Sequence, residues 1–181
     1  MGCIFALDLG VNTGFAIGGP GDASPVSGSV ALKKAGQERR VALGNMIAWL
    51  DAEWRKQRPA LVVKEAPLVL GGFGKRKNSQ ETVLMTYGLH GVVEAMCERF
   101  SLRLEDVHNA TVRKHFIGRG RMGDRNATKV AVIQRCRLLG YMPKGCVDDN
   151  RADALAVWDY AAHVFSRARS KKLFLFDERA A

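Results

Sequence analysis

The residues Cys3-Ile4-Phe5-Ala6-Leu7-Asp8-Leu9-Gly10-Val11-Asn12-Thr13-Gly14-Phe15-Ala16-Ile17 carry the first decision about the fold. Cys3 to Leu7 is a short apolar run that ends on Asp8-Leu9-Gly10. Apolar character resumes from Thr13 to Ile17 after a Val11-Asn12 turn, which reads as strand, turn, strand. Gly18 to Asp22 is dense in turn formers, and Pro25 to Leu32 offers a third strand of alternating small and apolar positions. The chain therefore opens on a three-strand meander with an acid, Asp8, at the end of its first strand.

Working outward, Val41, Leu43, Ile47, Ala48, Leu50 and Trp54 recur near helical spacing between Gln37 and Arg58, until Pro59 breaks the pattern. Ala60 to Glu65 is a compact β-rich run closed by Pro67, which predicts a buried strand ending on a second acid. A glycine-rich, basic loop from Gly71 to Asn78 precedes a helix over about residues 79–99. Leu102 to Val107 is a further strand, Ala110 to Phe116 a short helix, and Gly118 to Gly123 a basic loop. Ala127 to Leu139 and Asp149 to Ala168 complete the chain as helices, the last begun by the acidic cap Asp148-Asp149-Asn150. The order βββαβαβ followed by helices predicts an α/β fold: a mixed five-stranded sheet, three strands antiparallel and then two parallel, flanked by helices. A chain of 181 residues, 47% of them hydrophobic, suits one domain with a real core. That domain is expected over residues 1–168, with a short charged tail over 169–181.

Lysine and arginine number 28 against 18 acids, a net charge of +10, which is the bias of a protein that neutralises phosphates. No apolar run reaches the roughly 18 residues that a membrane span needs, and the N-terminus lacks the pattern of a secretory signal. Cys3, Cys97, Cys136 and Cys146 are scattered, with no C-x-x-C pair and no histidine at zinc-like spacing, so disulfide and zinc frameworks are not expected. These features point to a protein of the reducing cytoplasm, bacterial or in a phage-infected host.

An acid at the C-terminal end of a central strand stands on a fixed backbone and faces open space, where a metal ligand is needed. Asp8 and Glu65 both hold that position, and they come together if the first and fourth strands are neighbours. Asp149 and Asp153 are four apart and Asn150 and Asp153 three apart, so these groups share a face near the start of the last helix. Asp8 could instead be a turn former, Glu65 a strand-end charge and Asp149 a cap. Asp153, inside the apolar run Ala152 to Val157, is hard to explain without a partner or a metal. Three or four carboxylates suit magnesium or manganese, and two-metal nucleases place such ions roughly 4 Å apart across a phosphodiester.

In the spacing of these elements the chain resembles the RuvC family of Holliday-junction resolvases, particularly its phage-type members. The matching residues are Asp8-Leu9-Gly10 through Thr13-Gly14, Val62-Val63-Lys64-Glu65, Asn78-Ser79 at a helix start, and Asp149-Asn150-Arg151-Ala152-Asp153-Ala154-Leu155-Ala156. The likeness covers nearly the whole chain to about residue 165. It implies a ribonuclease-H-like sheet, a homodimer, two magnesium (or manganese) ions per site, and paired nicks in opposing strands of a four-way DNA junction. The family often spaces its final acids i, i+3, which sets Asn150 against Asp149 as the fourth ligand; charge favours Asp149.

Between Arg113 and Arg137 eight cations face one acid, Asp124. Arg113, Lys114, Arg119, Arg121, Arg125 and Lys129 are candidate phosphate contacts, with Lys129 placed near the scissile phosphate. The resemblance gives Arg113 and Lys129 catalytically helpful positions. In the loop from Gly71, Phe73 with Lys75, Arg76 and Lys77 suits stacking on an unpaired base at a junction centre. Val83, Tyr87, Gly91 and Ala95 form an i, i+4 stripe through which relatives dimerise, although such a stripe is also ordinary core. Three other readings stand beside the resolvase: a nuclease acting on hybrids or structured RNA, a nucleic-acid-binding module without catalysis, and an actin-like ATPase, whose phosphate loop Asp8 to Gly14 resembles but which needs two such domains.

Overall fold

The computed structural model describes residues 2–67, 79–120 and 123–177, with side chains as far as residue 165. Its elements are β1 (Ile4–Asp8), β2 (Asn12–Gly18), β3 (Val26–Ala31), α1 (Arg39–Lys56), β4 (Leu61–Glu65), α2 (Gln80–Arg99), β5 (Leu104–Val107), α3 (Asn109–Ile117), α4 (Arg125–Leu138) and α5 (Asp149–Asp177). The strands form one sheet in the order β3-β2-β1-β4-β5. β1, β2 and β3 pair antiparallel, while β4 and β5 join β1 in parallel. The predicted sheet and element order are those observed, with β1 and β4 as direct neighbours.

The sheet divides two hydrophobic cores because strand side chains alternate. Ile4, Ala6, Leu61 and Val63 lie on the side of α5, with Leu155, Val157, Trp158 and Ala161. Phe5, Leu7 and Val62 lie on the other side, under Met46, Leu50 and Trp54 of α1 and Met85, Leu89 and Val93 of α2. Each such side chain, fully buried, contributes roughly 1.5–3 kcal/mol. β4 is buried on both faces, as a strand inside a parallel pair should be. Ser79 caps α2 by accepting from the Thr82 amide, and Pro59 ends α1 where the pattern of the sequence broke.

α5 lies across the sheet and is stitched to it by three polar contacts. Trp158 Nε1 donates to Gly18 O at 3.1 Å, Arg151 Nε to Ser27 Oγ at 3.0 Å, and Ser29 Oγ to Asp148 Oδ2 at 2.7 Å. Two expectations need correction. The last helix does not stop at Ala168 but runs to Asp177, since no glycine or proline follows Ala168 to end it. The α2 stripe is not core: Leu84 and Tyr87 are 43% and 39% exposed and Gly91 meets nothing, while Met85, Leu89, Val93 and Met96 do the packing. No described helix is long and apolar enough to cross a membrane.

Candidate active site

Alternation that sends Ile4 and Ala6 of β1 toward α5 sends Asp8 the same way, and Leu61 and Val63 of β4 do so for Glu65. The parallel register ends on Leu7 opposite Lys64, so the next step sets Asp8 beside Glu65 at one edge of the sheet. β2 returns with Gly14 opposite Asp8. A Cβ at Gly14 would stand 1.9 Å from the Asn150 carbonyl oxygen and 3.2 Å from Ala154 Cβ. The absence of a side chain there lets the first turn of α5 settle on the sheet. Ahead of it, Thr13 is fully buried and its hydroxyl donates to Gly10 O at 2.7 Å, which closes the β1–β2 turn.

That first turn brings the remaining acids. Asp148 is the cap, accepting from the Arg151 amide at 3.0 Å. Asp149 accepts from Lys129 Nζ. Asp153, its side chain 16% exposed, has the Arg113 guanidinium at 4.0 Å, the one ion-pair contact it makes among the described residues. The helix N-terminus itself favours negative charge here.

The electrostatics separate the four carboxylates. Burial holds the Asp8 carboxyl well above its ordinary range, and the charges of Glu65, Asp153 and Asp149 push it the same way against Arg113. Burial also raises Glu65; a hydrogen bond from Asn109 opposes it and Asp153 adds to it. Asp153 is raised by burial, with Arg113 and Lys129 opposing. Asp149 alone is lowered, by its hydrogen bond from Lys129. Asp8, Glu65 and Asp153 are thus three partly buried acids with Arg113 as the described cation that approaches them, and such a group calls for compensating positive charge.

Among the described residues no three acidic, histidine or cysteine side chains are already closed around a common point. Asp149 is turned to Lys129, and Glu65 accepts from Asn109 Nδ2 at 2.7 Å. The donor set is all oxygen, matched to a hard divalent cation. Asn150 presents its backbone to Gly14.

Of the basic residues, the fold brings Arg113 and Lys129 to the acids. Lys114, Arg119 and Arg125 are exposed along α3, the turn after it and the start of α4. Arg121, Phe73, Lys75, Arg76 and Lys77 lie outside the described residues. Asn109 and Lys64 are the residues that sequence reasoning missed. The spacing of Asn109 and Arg113, four apart on one helix, was the available signal for the first. His115 does not face the acids; its Nε2 meets Asp159 Oδ2 at 2.7 Å, and Tyr141 donates to Asp159 Oδ1 at 2.7 Å, a clamp joining α3, α5 and the segment after α4.

Solved structures with this arrangement of strands and helices include Thermus thermophilus RuvC, at a TM-score of 0.63 and 15% identity over 93% of this chain and 96% of that one. The fold is that of RuvC. T. thermophilus RuvC in complex with a Holliday junction substrate is similar at 0.63 and 14%, covering 87% of this chain and 90% of that one. The yeast mitochondrial Holliday junction resolvase Ydc2 follows at 0.56 and 14%, over 92% and 83%. No protein-family model and no curated protein sequence matches the chain. The RuvC-like, ribonuclease-H-like fold therefore spans nearly the full chain, and at these identities the likeness is one of architecture.

Proposed function

We propose that this chain is a metal-dependent, structure-specific endonuclease that resolves four-way or branched DNA by paired nicks. The observation that carries this reading is the gathering of Asp8, Glu65 and Asp153, each raised by burial and by a neighbouring carboxylate, at the C-terminal ends of β1 and β4 and the first turn of α5. Asp8, Glu65 and Asp153, with Asp149 or Asn150, would hold two magnesium or manganese ions. Bound there, such ions would supply charge stabilisation to the attacking and leaving oxygens of a phosphodiester. Arg113 and Lys129 stand ready to meet phosphate oxygens beside the acids, and Lys114, Arg119 and Arg125 would track the backbone further out.

The substrate class is drawn from the neighbours: one of them holds a Holliday junction and another is named a Holliday junction resolvase. A two-fold enzyme matches a two-fold junction, and the outward stripe of Val83, Leu84, Tyr87 and Gly91 on α2 is the face through which this chain would pair with a second copy. Cleavage of a synthetic four-way junction with magnesium, compared with a linear duplex and an RNA–DNA hybrid, tests the reading. Paired nicks in the junction, lost in Asp8→Asn while junction binding in EDTA persists, are the expected result. Preferred cleavage of the hybrid would move the protein to RNA, and binding without metal-dependent cleavage would make it a recognition module.

A further inference from the structure

Asn109 begins α3, one turn ahead of Arg113, and both side chains reach the acids: the first holds Glu65 at 2.7 Å and the second approaches Asp153 at 4.0 Å. Each brings an atom left unmatched among the described residues. Asn109 Oδ1 and Arg113 Nε are both buried with no hydrogen-bond partner. An acceptor buried in this way is costly to leave unmatched. It also lies close to the acids whatever its direction, because amide bond lengths keep Oδ1 within about 5 Å of the Glu65 oxygen that Nδ2 holds.

An unmatched acceptor beside a carboxylate is satisfied when a donor arrives, and a ligand that carries bound water supplies one. A hydrated divalent cation brings such donors as its water molecules and also answers the charge of Asp8, Glu65 and Asp153, which an anion does not. The neutral amide also differs in kind from the partner of Asp149. Lys129 places a positive charge on that carboxylate and so competes with a metal ion for it; Asn109 orients Glu65 without adding charge.

We propose that Asn109 is a positioning residue of the cation site, its N–H fixing the Glu65 carboxylate and its Oδ1 accepting from water carried by a divalent cation among Asp8, Glu65 and Asp153. The proposal rests on the reading of these acids as a metal site and adds a residue that acts on the carboxylate and on the cation's water.

The test uses the full chain and Mn2+ alone, without DNA, with bound and free ion distinguished by electron paramagnetic resonance and affinity by calorimetry. Asn109→Leu, which keeps the volume and removes both amide groups, is expected to weaken Mn2+ about 10–100-fold, the usual cost of losing a partner behind a metal ligand. Asn109→Gln, which keeps both amide groups at the same charge, recovers part of that affinity. Circular dichroism and melting in EDTA establish that both variants are folded; should Asn109→Leu not fold, Asn109→Ser takes its place. Parental Mn2+ affinity in a folded Asn109→Leu or Asn109→Ser protein would overturn the role of Asn109 while leaving the acid cluster as a metal site. A parental chain that takes up no Mn2+ would overturn both.

Discussion

Lys64 and Glu65 are consecutive residues of β4, the first buried and the second partly so, and they face opposite sides of the sheet. Lys64 is fully buried, yet its charge is answered twice, by Asp106 Oδ1 at 2.6 Å on β5 and Glu94 Oε1 at 3.2 Å on α2, as ion pairs without hydrogen-bond alignment. Both acids are about half exposed and remain hydrated. Glu65 stands on the other face beside Asp8 and Asp153, where the charges are alike and Arg113 comes no nearer than 4.0 Å. A buried charge with its partners at hand is a matter of structure. A partly buried group of like charges short of partners marks a candidate functional site, because a compensating charge would have to come from outside.

The largest test of that contrast is Asp8→Asn. Several kcal/mol of transition-state stabilisation should go with it, so junction cleavage falls on the order of 10³-fold in a gel assay. The same change should stabilise the protein in EDTA at pH 7, by about 0.5–2 kcal/mol. The sign follows from linkage. A carboxyl raised in the folded state contributes stability that is whole below its unfolded pKa, near 4, and is lost as pH rises through its folded value. The advantage of asparagine is therefore greatest at neutral pH and vanishes below about pH 4. Melting curves at both pH values check it, and a variant no more stable than the parent at pH 7 would break the comparison.

Next in size is Gly14→Ala. A methyl group 1.9 Å from the Asn150 carbonyl must displace the first turn of α5. The cost is about 1–3 kcal/mol in denaturant unfolding, and a displacement of about 1 Å in Asp153 lowers cleavage about 10²-fold. Lys64→Met should do much less: the volume is kept, Glu94 and Asp106 turn to water, stability changes by under about 1.5 kcal/mol, and cleavage holds at the parental rate. A sharp fall in cleavage would mean that the two faces are not independent. Smallest are the exposed cations. Replacing Lys114, Arg119 or Arg125 singly by alanine should weaken junction binding modestly and lower the slope of log affinity against log salt by about 1 each, measured by fluorescence anisotropy.

The elements were legible in the sequence because each carries its own period and its own stop. Asp8 and Glu65 end their runs, Pro59 halts α1 and Ser79 starts α2. Their meeting was legible too, once β1 and β4 were taken as neighbours. What the sequence concealed depends on contacts between distant elements. Asn109 reads as an ordinary helix start until β4 places Glu65 against it. Lys64 reads as a charge at the end of an apolar run, and only Glu94 and Asp106, brought by α2 and β5, make its burial tolerable. In α2 two apolar stripes share the helical period, and nothing local says that Met85 and Leu89 go inward while Leu84 and Tyr87 stay out.

Because β4 is buried on both faces, its apolar residues are mute about alignment: Leu61, Val62 and Val63 would be equally content on either side of the sheet. A strand that slips by one residue turns every side chain to the opposite face. In β4 such a slip would drive Glu65 against Glu94 and Asp106 and strand it away from Asn109. The adjacent opposite charges thus act as a key during folding, admitting the one alignment of β4 that also places an acid next to Asp8.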